Sequence, residues 1–256
     1  MKKTTKVVND GREVEKKRAL LRGHLNIRFD DIIRRVEQGT LNYGLVMLQL
    51  QAIAEGRVKI LERPETDQDL SNIPNLELWR KFYSEYFGLE MDFLRMPIPP
   101  KPTEGAWRLL VILNGLTNNQ VYSACFYTFK GKCWRIPNDL DSGVPMNERD
   151  PRNGSYAIWV RDIEEPDEVH LDKTAGMIKK QGLKTETLLE RMLHGLKYFA
   201  ETGEHLDQRN ATLCFGSRLL NSEVPLARRS DGEFRILSYS SVDSGYDLGP
   251  REVVAM

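Results

Sequence analysis

The chain has 256 residues, 40% of them hydrophobic and 29% charged, with a mean hydropathy of −0.48; that is enough to bury a core as one large domain or two smaller ones. The balance excludes a disordered chain, and the longest apolar runs, such as Leu109 to Leu113, fall far short of the ~18 residues of a membrane-spanning helix. Thirty-seven Lys and Arg match thirty-seven Asp and Glu, so net charge alone dictates no partner.

The distribution of charge says more than its sum. Residues 1–35 hold eleven Lys and Arg against five Asp and Glu, whereas residues 138–172 hold ten Asp and Glu against three Arg. The basic start has no apolar run and small-residue cleavage site behind it, which predicts no secretory leader. Three cysteines, Cys125, Cys133 and Cys214, form no Cys-x-x-Cys pair and no disulfide framework. They read as reduced thiols, and the expected location is the cytoplasm.

In chain order, residues 1–25 read as a basic arm. Phe29, Ile32, Ile33 and Val36 recur at helical spacing between Asn26 and Gly39, which predicts a short amphipathic helix from Arg28 to Gln38. A second helix follows from Thr40 to Ala54, making residues 1–63 a basic helical region of arm plus αα-hairpin. The pair has the outline of a DNA-reading helix-turn-helix, but no Lys or Arg lies between Thr40 and Glu55 to serve a recognition helix. Residues 64–74 form the expected linker. A helix after Pro74 carries the aromatic stripe Trp79, Phe82, Tyr83, Tyr86 and Phe87, and prolines make 96–102 an extended connector.

Trp107 to Leu113 is apolar on both faces and predicts a buried strand. A helix is expected over 118–129, a short strand over 131–136, a long polar loop over 138–154 and a second strand over 155–161. Thr185 to Thr202 has the clearest helical stripe in the chain, with Thr185 as its cap, Gly203 as its stop and His194 at the margin of the stripe. Beyond it the period shortens: Ala211 to Phe215 reads as a strand, 216–218 as its irregular end, and Glu223 to Ala227 as an edge piece because Pro225 lacks a donor. Asp231-Gly232 predicts a hairpin turn into a last strand. The fold class is therefore α+β: a helical N-terminal part, a small sheet covered by helices within a core spanning 64–256, and a C-terminal β-rich tail over 206–256.

Several stretches carry a resemblance. Glu104-Gly-Ala-Trp-Arg-Leu-Leu-Val-Ile112, Leu116-Thr-Asn-Asn-Gln-Val-Tyr122, Asp150-Pro-Arg-Asn-Gly-Ser-Tyr-Ala-Ile-Trp-Val-Arg-Asp162, Thr187-Leu-Leu-Glu-Arg191 and the run from Leu206-Asp207 to Gly216-Ser-Arg218 resemble a family of uncharacterised bacterial proteins over residues 75–228. The resemblance implies no activity and transfers no catalytic residue. The chain departs from it after Arg218, where Leu219-Leu-Asn-Ser-Glu223 and Leu226-Ala-Arg-Arg229 replace a glycine-containing turn and an aromatic.

Chemistry is densest from His205 to Arg218. Cys214 ahead of Gly-Ser-Arg218 invites comparison with phosphate-handling thiolate loops, with His205 and Asp207 as base and orienting carboxylate. Cys214 and Arg218 stand closer together than in such a loop, and no helix is expected at the Arg. Asp139, Asp141, Asp150 and Asp162, gathered at one sheet end, are the weak candidates for Mg²⁺. No Walker loop, dinucleotide glycine motif, Gly-x-Ser-x-Gly or His-Glu-x-x-His occurs. The expectation is a non-catalytic cytoplasmic binding or regulatory protein without cofactor. Nucleic acid is the first partner to test, through Lys2, Lys3, Lys6, Lys16, Lys17, Arg18 and Arg22 with Arg228 and Arg229 as a second patch. The alternatives are a phosphate-handling hydrolase or transferase using Cys214 and Arg218, and a scaffold that binds protein or itself.

Overall fold

The computed structural model describes residues 76–89, 96 and 98–256, together with Ile32 and Ile33. The chain divides into two compact units, Met1–Glu65 and Thr66–Met256. In the first, Ile32 and Ile33 are helical; the rest of the expected arm and αα-hairpin, and the linker 64–74, lie outside the described residues. All elements below belong to the second unit.

Helix α1 (Leu76–Phe87) buries Trp79, Phe82 and Tyr83, which share one face at i, i+3 and i+4. The Tyr83 hydroxyl donates to Val111 O at 2.6 Å, tying the helix to strand β1 (Trp107–Ile112). Helix α2 (Asn118–Thr128) starts at a capping box in which Thr117 and Gln120 satisfy each other's backbone N–H. Then come β2 (Cys133–Arg135), a one-turn α3 (Leu140–Gly143), β3 (Met146–Asn147) and β4 (Tyr156–Arg161). The expected polar loop over 138–154 thus contains structure: Asp139 and Asp150 cap a helical turn each, because short carboxylates accept the free N–H groups that follow them.

Helix α4 (Ala175–Lys180) leads to α5 (Leu188–Thr202), and the tail supplies β5 (Ala211–Leu213), β6 (Ser217–Arg218), β7 (Val224–Ser230), β8 (Glu233–Tyr239), β9 (Leu248–Gly249) and β10 (Val253–Val254). The protein is α+β. One sheet has the antiparallel order β1-β4-β10, a second the mixed order β2-β8-β7-β5-β9, and β3 pairs with β6. Helix α5 packs on β1 of the first sheet, on β7 of the second, and on α2. Its residues Leu188, Leu189, Met192, Leu193 and Leu196 enter the main core with Leu110, Val111, Ile112, Ile158 and Val160.

Four local expectations change. The cap of α5 is Thr187, in a capping box with Glu190; Thr185 is extended and bridges to Glu252, because residues 184–186 run beside 251–253. His194 is fully buried instead of marginal. Residues 217–218 are paired strand. Pro225 lies in β7, a central strand of the five-stranded sheet. It is tolerated because the N and O of a strand residue point the same way. Its carbonyl accepts from Cys214, one residue beyond the last β5 pair, Leu213 with Leu226, so its missing donor falls past the end of the ladder. The Asp231-Gly232 turn matches its reading: both residues have φ near +55° to +76° and join β7 to β8 between Ser230 and Glu233.

Candidate binding cleft

Three of the chain's four tryptophans meet at one end of the three-stranded sheet. Trp107 opens β1 and Trp159 lies two residues before the end of β4; the antiparallel register sets Trp107 opposite Arg161 and Leu109 opposite Trp159. Trp79 comes from α1, and Lys197 and Glu201, one turn apart on α5, complete the wall. The cleft measures about 300 Å³, and its described lining also includes Lys101, Arg108 and Asp162. That volume is at the lower end of the ~300–1,000 Å³ of small-molecule sites.

Each ring meets a cation. Lys101 Nζ stands 5.4 Å from the Trp159 ring, the Arg161 guanidinium 4.8 Å from Trp107, and Lys197 Nζ 4.9 Å from Trp79 and 5.2 Å from Phe82. A side chain at Gly105 would strike Arg161, so this glycine admits the guanidinium. The indole N–H groups of Trp159 and Trp107 donate to the carbonyls of Pro99 and Glu104. Arg108 Nε donates to Asp162 Oδ1 at 2.9 Å, and another of its nitrogens pairs with Glu201, whose other oxygen accepts from Lys197 at 2.6 Å. Carboxylate and rings favour the Lys197 ammonium. Burial, with Arg108 nearby, opposes them more strongly and lowers the amine pKa to about 8.

The residues singled out from His205 to Arg218 belong elsewhere, to the underside of α5. Asp207 is fully buried, with Oδ2 accepting from Arg191 at 2.6 and 2.8 Å and from the Thr212 hydroxyl at 2.6 Å, and Oδ1 from Arg251 at 2.6 Å. The pull of Arg191 and Arg251 outweighs burial and keeps its carboxyl below the usual range. His205 lies against Phe199, ring centroids 4.5 Å apart, and burial lowers its pKa to about 4. Cys214 is buried at 0% exposure, which pushes its thiol well above the ordinary value and disfavours the thiolate. Arg218 donates to the carbonyls of Phe215 and Ser217 at 2.7 Å. Asp207 holds arginines, His205 an aromatic ring and Arg218 its own chain; the four share no pocket described here.

The four aspartates are also apart in role. Asp139 and Asp141 accept from the Asn119 amide, Asp150 pairs with Arg152, and Asp162 with Arg108. Among the described residues no group of three or more His, Cys, Asp or Glu is placed to hold a metal ion. Arg228 and Arg229 are neighbours on β7 and so project to opposite faces; Arg228 pairs with Asp247 at 3.7 Å and Arg229 donates to Gly232 O at 2.7 Å. They make no single patch. Lys2, Lys3, Lys6, Lys16, Lys17, Arg18 and Arg22 lie outside the described residues.

Sequence reasoning missed the cleft. Its one available signal was the pairing of Trp107-Arg108 with Trp159-Val-Arg161 at the ends of two apolar strands: an antiparallel pairing in this register brings them together. Among the described residues no helix is long and apolar enough to cross a membrane. Scans of protein-family models, curated proteins and solved structures find no match to this chain.

Proposed function

We propose that this is a cytoplasmic, non-catalytic binding protein, and that nucleic acid, in the form of a single strand, is its partner. The observation that carries the reading is the cleft, where Trp79, Trp107 and Trp159 stand among Lys101, Arg108 and Lys197. Aromatic faces beside cations suit bases and phosphates, because every base has a π face and every linkage a negative charge. Of the three rings Trp107 is the one partly exposed, and the exposed Lys101 is placed to meet a phosphate beside it.

Tryptophan fluorescence tests this directly. A short oligonucleotide is expected to quench emission at low salt, with log K falling against log[salt] at a slope of about −0.7 for the one phosphate contact that Lys101 offers a single strand. K101A is expected to make that slope shallower by about 0.7. Absence of quenching at low salt, or affinity indifferent to salt, rejects the partner.

A protein-binding role has its own support. Trp134 and Ile136, on and just after edge strand β2, are 43% and 49% exposed, and Tyr127 at the end of α2 is 80% exposed. Sedimentation of the wild type and of W134S separates the readings, since only this one predicts self-association lost in the variant.

A further inference from the structure

Lys197 is the one lysine among the described residues that is buried, yet it lines an open cleft. Its side chain is 5% exposed, enclosed by the Trp79 and Phe82 rings, with the Glu201 carboxylate 2.6 Å from Nζ. Buried lysines are ordinarily kept from solvent on every side. This one meets the space where a ligand would sit, beside a group able to carry protons and beneath the cations Lys101 and Arg108.

We propose that the Lys197 amine captures a small anionic carbonyl compound, an oxo acid, as an imine. The amine lone pair attacks the carbonyl carbon and the C=O π electrons move to oxygen. A proton passes from nitrogen to that oxygen through Glu201, giving a carbinolamine, which loses water as the C=N bond forms. Carbonyl plus amine gives imine plus water, so no oxidant or reductant is consumed. The ligand's carboxylate lies toward Lys101, the cleft cation with no carboxylate partner among the contacts described above. Loss of water around Nζ and the nearby Arg108 charge lower the amine pKa to about 8, so part of it is unprotonated, and nucleophilic, near neutral pH. Capture in this form is binding, reversible by hydrolysis. It uses the cleft of the proposed function but not its nucleic-acid ligand.

The full chain is incubated with glyoxylate and cyanoborohydride, which reduces any imine to a stable secondary amine, and labelled lysines are mapped by mass spectrometry. Lys197 is expected to label on the order of tenfold faster than exposed lysines such as Lys101 and Lys184, since its lowered value leaves part of the amine unprotonated near neutral pH. Its rate is expected to level off above about pH 8, as the lowered value requires. E201Q is expected to slow Lys197 alone, and acetaldehyde, which lacks the carboxylate, to react more slowly than glyoxylate. Labelling of Lys197 no faster than of exposed lysines overturns the proposal, and equal rates for acetaldehyde overturn its anionic part. The wild-type map decides this even if a variant fails to fold. An oligonucleotide titration on the same protein separates the two readings: labelling without oligonucleotide binding sinks the nucleic-acid partner alone, and the reverse sinks imine capture alone.

Discussion

At Glu186 and His194 a carboxyl and an imidazole meet out of reach of water. Oε1 and Nδ1 are 2.8 Å apart, and Oε2 and Nε2 are buried without partners in the structure. Burial lifts the Glu186 pKa to about 8 against the opposing pull of Arg251 and Arg191, and burial with those same arginines drives His194 well below its ordinary value. Near neutral pH the pair is a carboxylic acid beside a neutral imidazole. A carboxyl with a raised folded pKa contributes stability below its unfolded value that is lost as pH rises through the folded one. The lowered His194 acts oppositely but only below its unfolded value near 6.5. Between about pH 6.5 and 7.5, below the range in which Lys197, lowered to about 8, releases its proton and acts oppositely, Glu186 dominates, and stability should fall with rising pH by at most about 1.4 kcal/mol per unit. Urea midpoints across that window are expected to decline in the wild type and stay level in E186Q; a wild type that gains stability there contradicts this account. Neither residue was legible as buried. His194 follows Leu193 in the stripe and so reads as marginal, because periodicity reports where a side chain points and not what arrives to meet it.

Helix α5 shows what is legible and what is not. Its stripe and its glycine stop were plain, because both depend on residues a turn apart, as does the Asp231-Gly232 hairpin. Its true start was displaced from Thr185 to Thr187 by a distant event, the pairing of 184–186 with 251–253. T187A removes the oxygen that accepts from Glu190 N, and should cost about 1 kcal/mol, read as a lower unfolding midpoint. Gly216 lies so close to this strap that an added Cβ would come 2.8 Å from Thr185 O and 3.0 Å from Glu186 O. G216A is expected to cost about 1–3 kcal/mol, the range for overpacked sites; an unchanged midpoint would show that the strap yields. Strand order was illegible for the same reason as the true cap. Pro225 argued for an edge on local chemistry, while its place in the sheet depends on where β5 stops.

Across the molecule, Arg251 joins what the two sheets separate. The chain leaves β9 in the five-stranded sheet at Gly249 and enters β10 in the three-stranded sheet at Val253, and between them this buried guanidinium reaches Asp207, Thr212 and the carbonyls of Ile163 and Glu164. R251A should destabilise by about 1–3 kcal/mol, since it leaves a fully buried carboxylate oxygen of Asp207 without its partner while Arg191 still holds the other. Hydrogen exchange should then quicken in β4 and β5 together; quickening confined to β9 would mean that the sheets are stabilised independently. The same long reach hid the cleft. Trp79 read as part of a helical aromatic stripe and Trp107 and Trp159 as strand residues, each rightly by its neighbours, and only the register of β1 with β4 and the placement of α1 and α5 bring them to one wall.

The Arg251 crossing also sets an order in time. A ribosome releases this chain from its N-terminal side, so Ile163, Glu164, Asp207 and Thr212 all emerge before the arginine that binds them. Until then Asp207 has only Arg191 and Thr212, β10 is missing from one sheet and β9 from the other. Contacts this far apart in sequence close slowly. The nascent protein therefore carries unpaired strand edges at β4 and β5 until the segment after Leu248 has left the exit tunnel, which makes that interval the one in which a chaperone has most to protect.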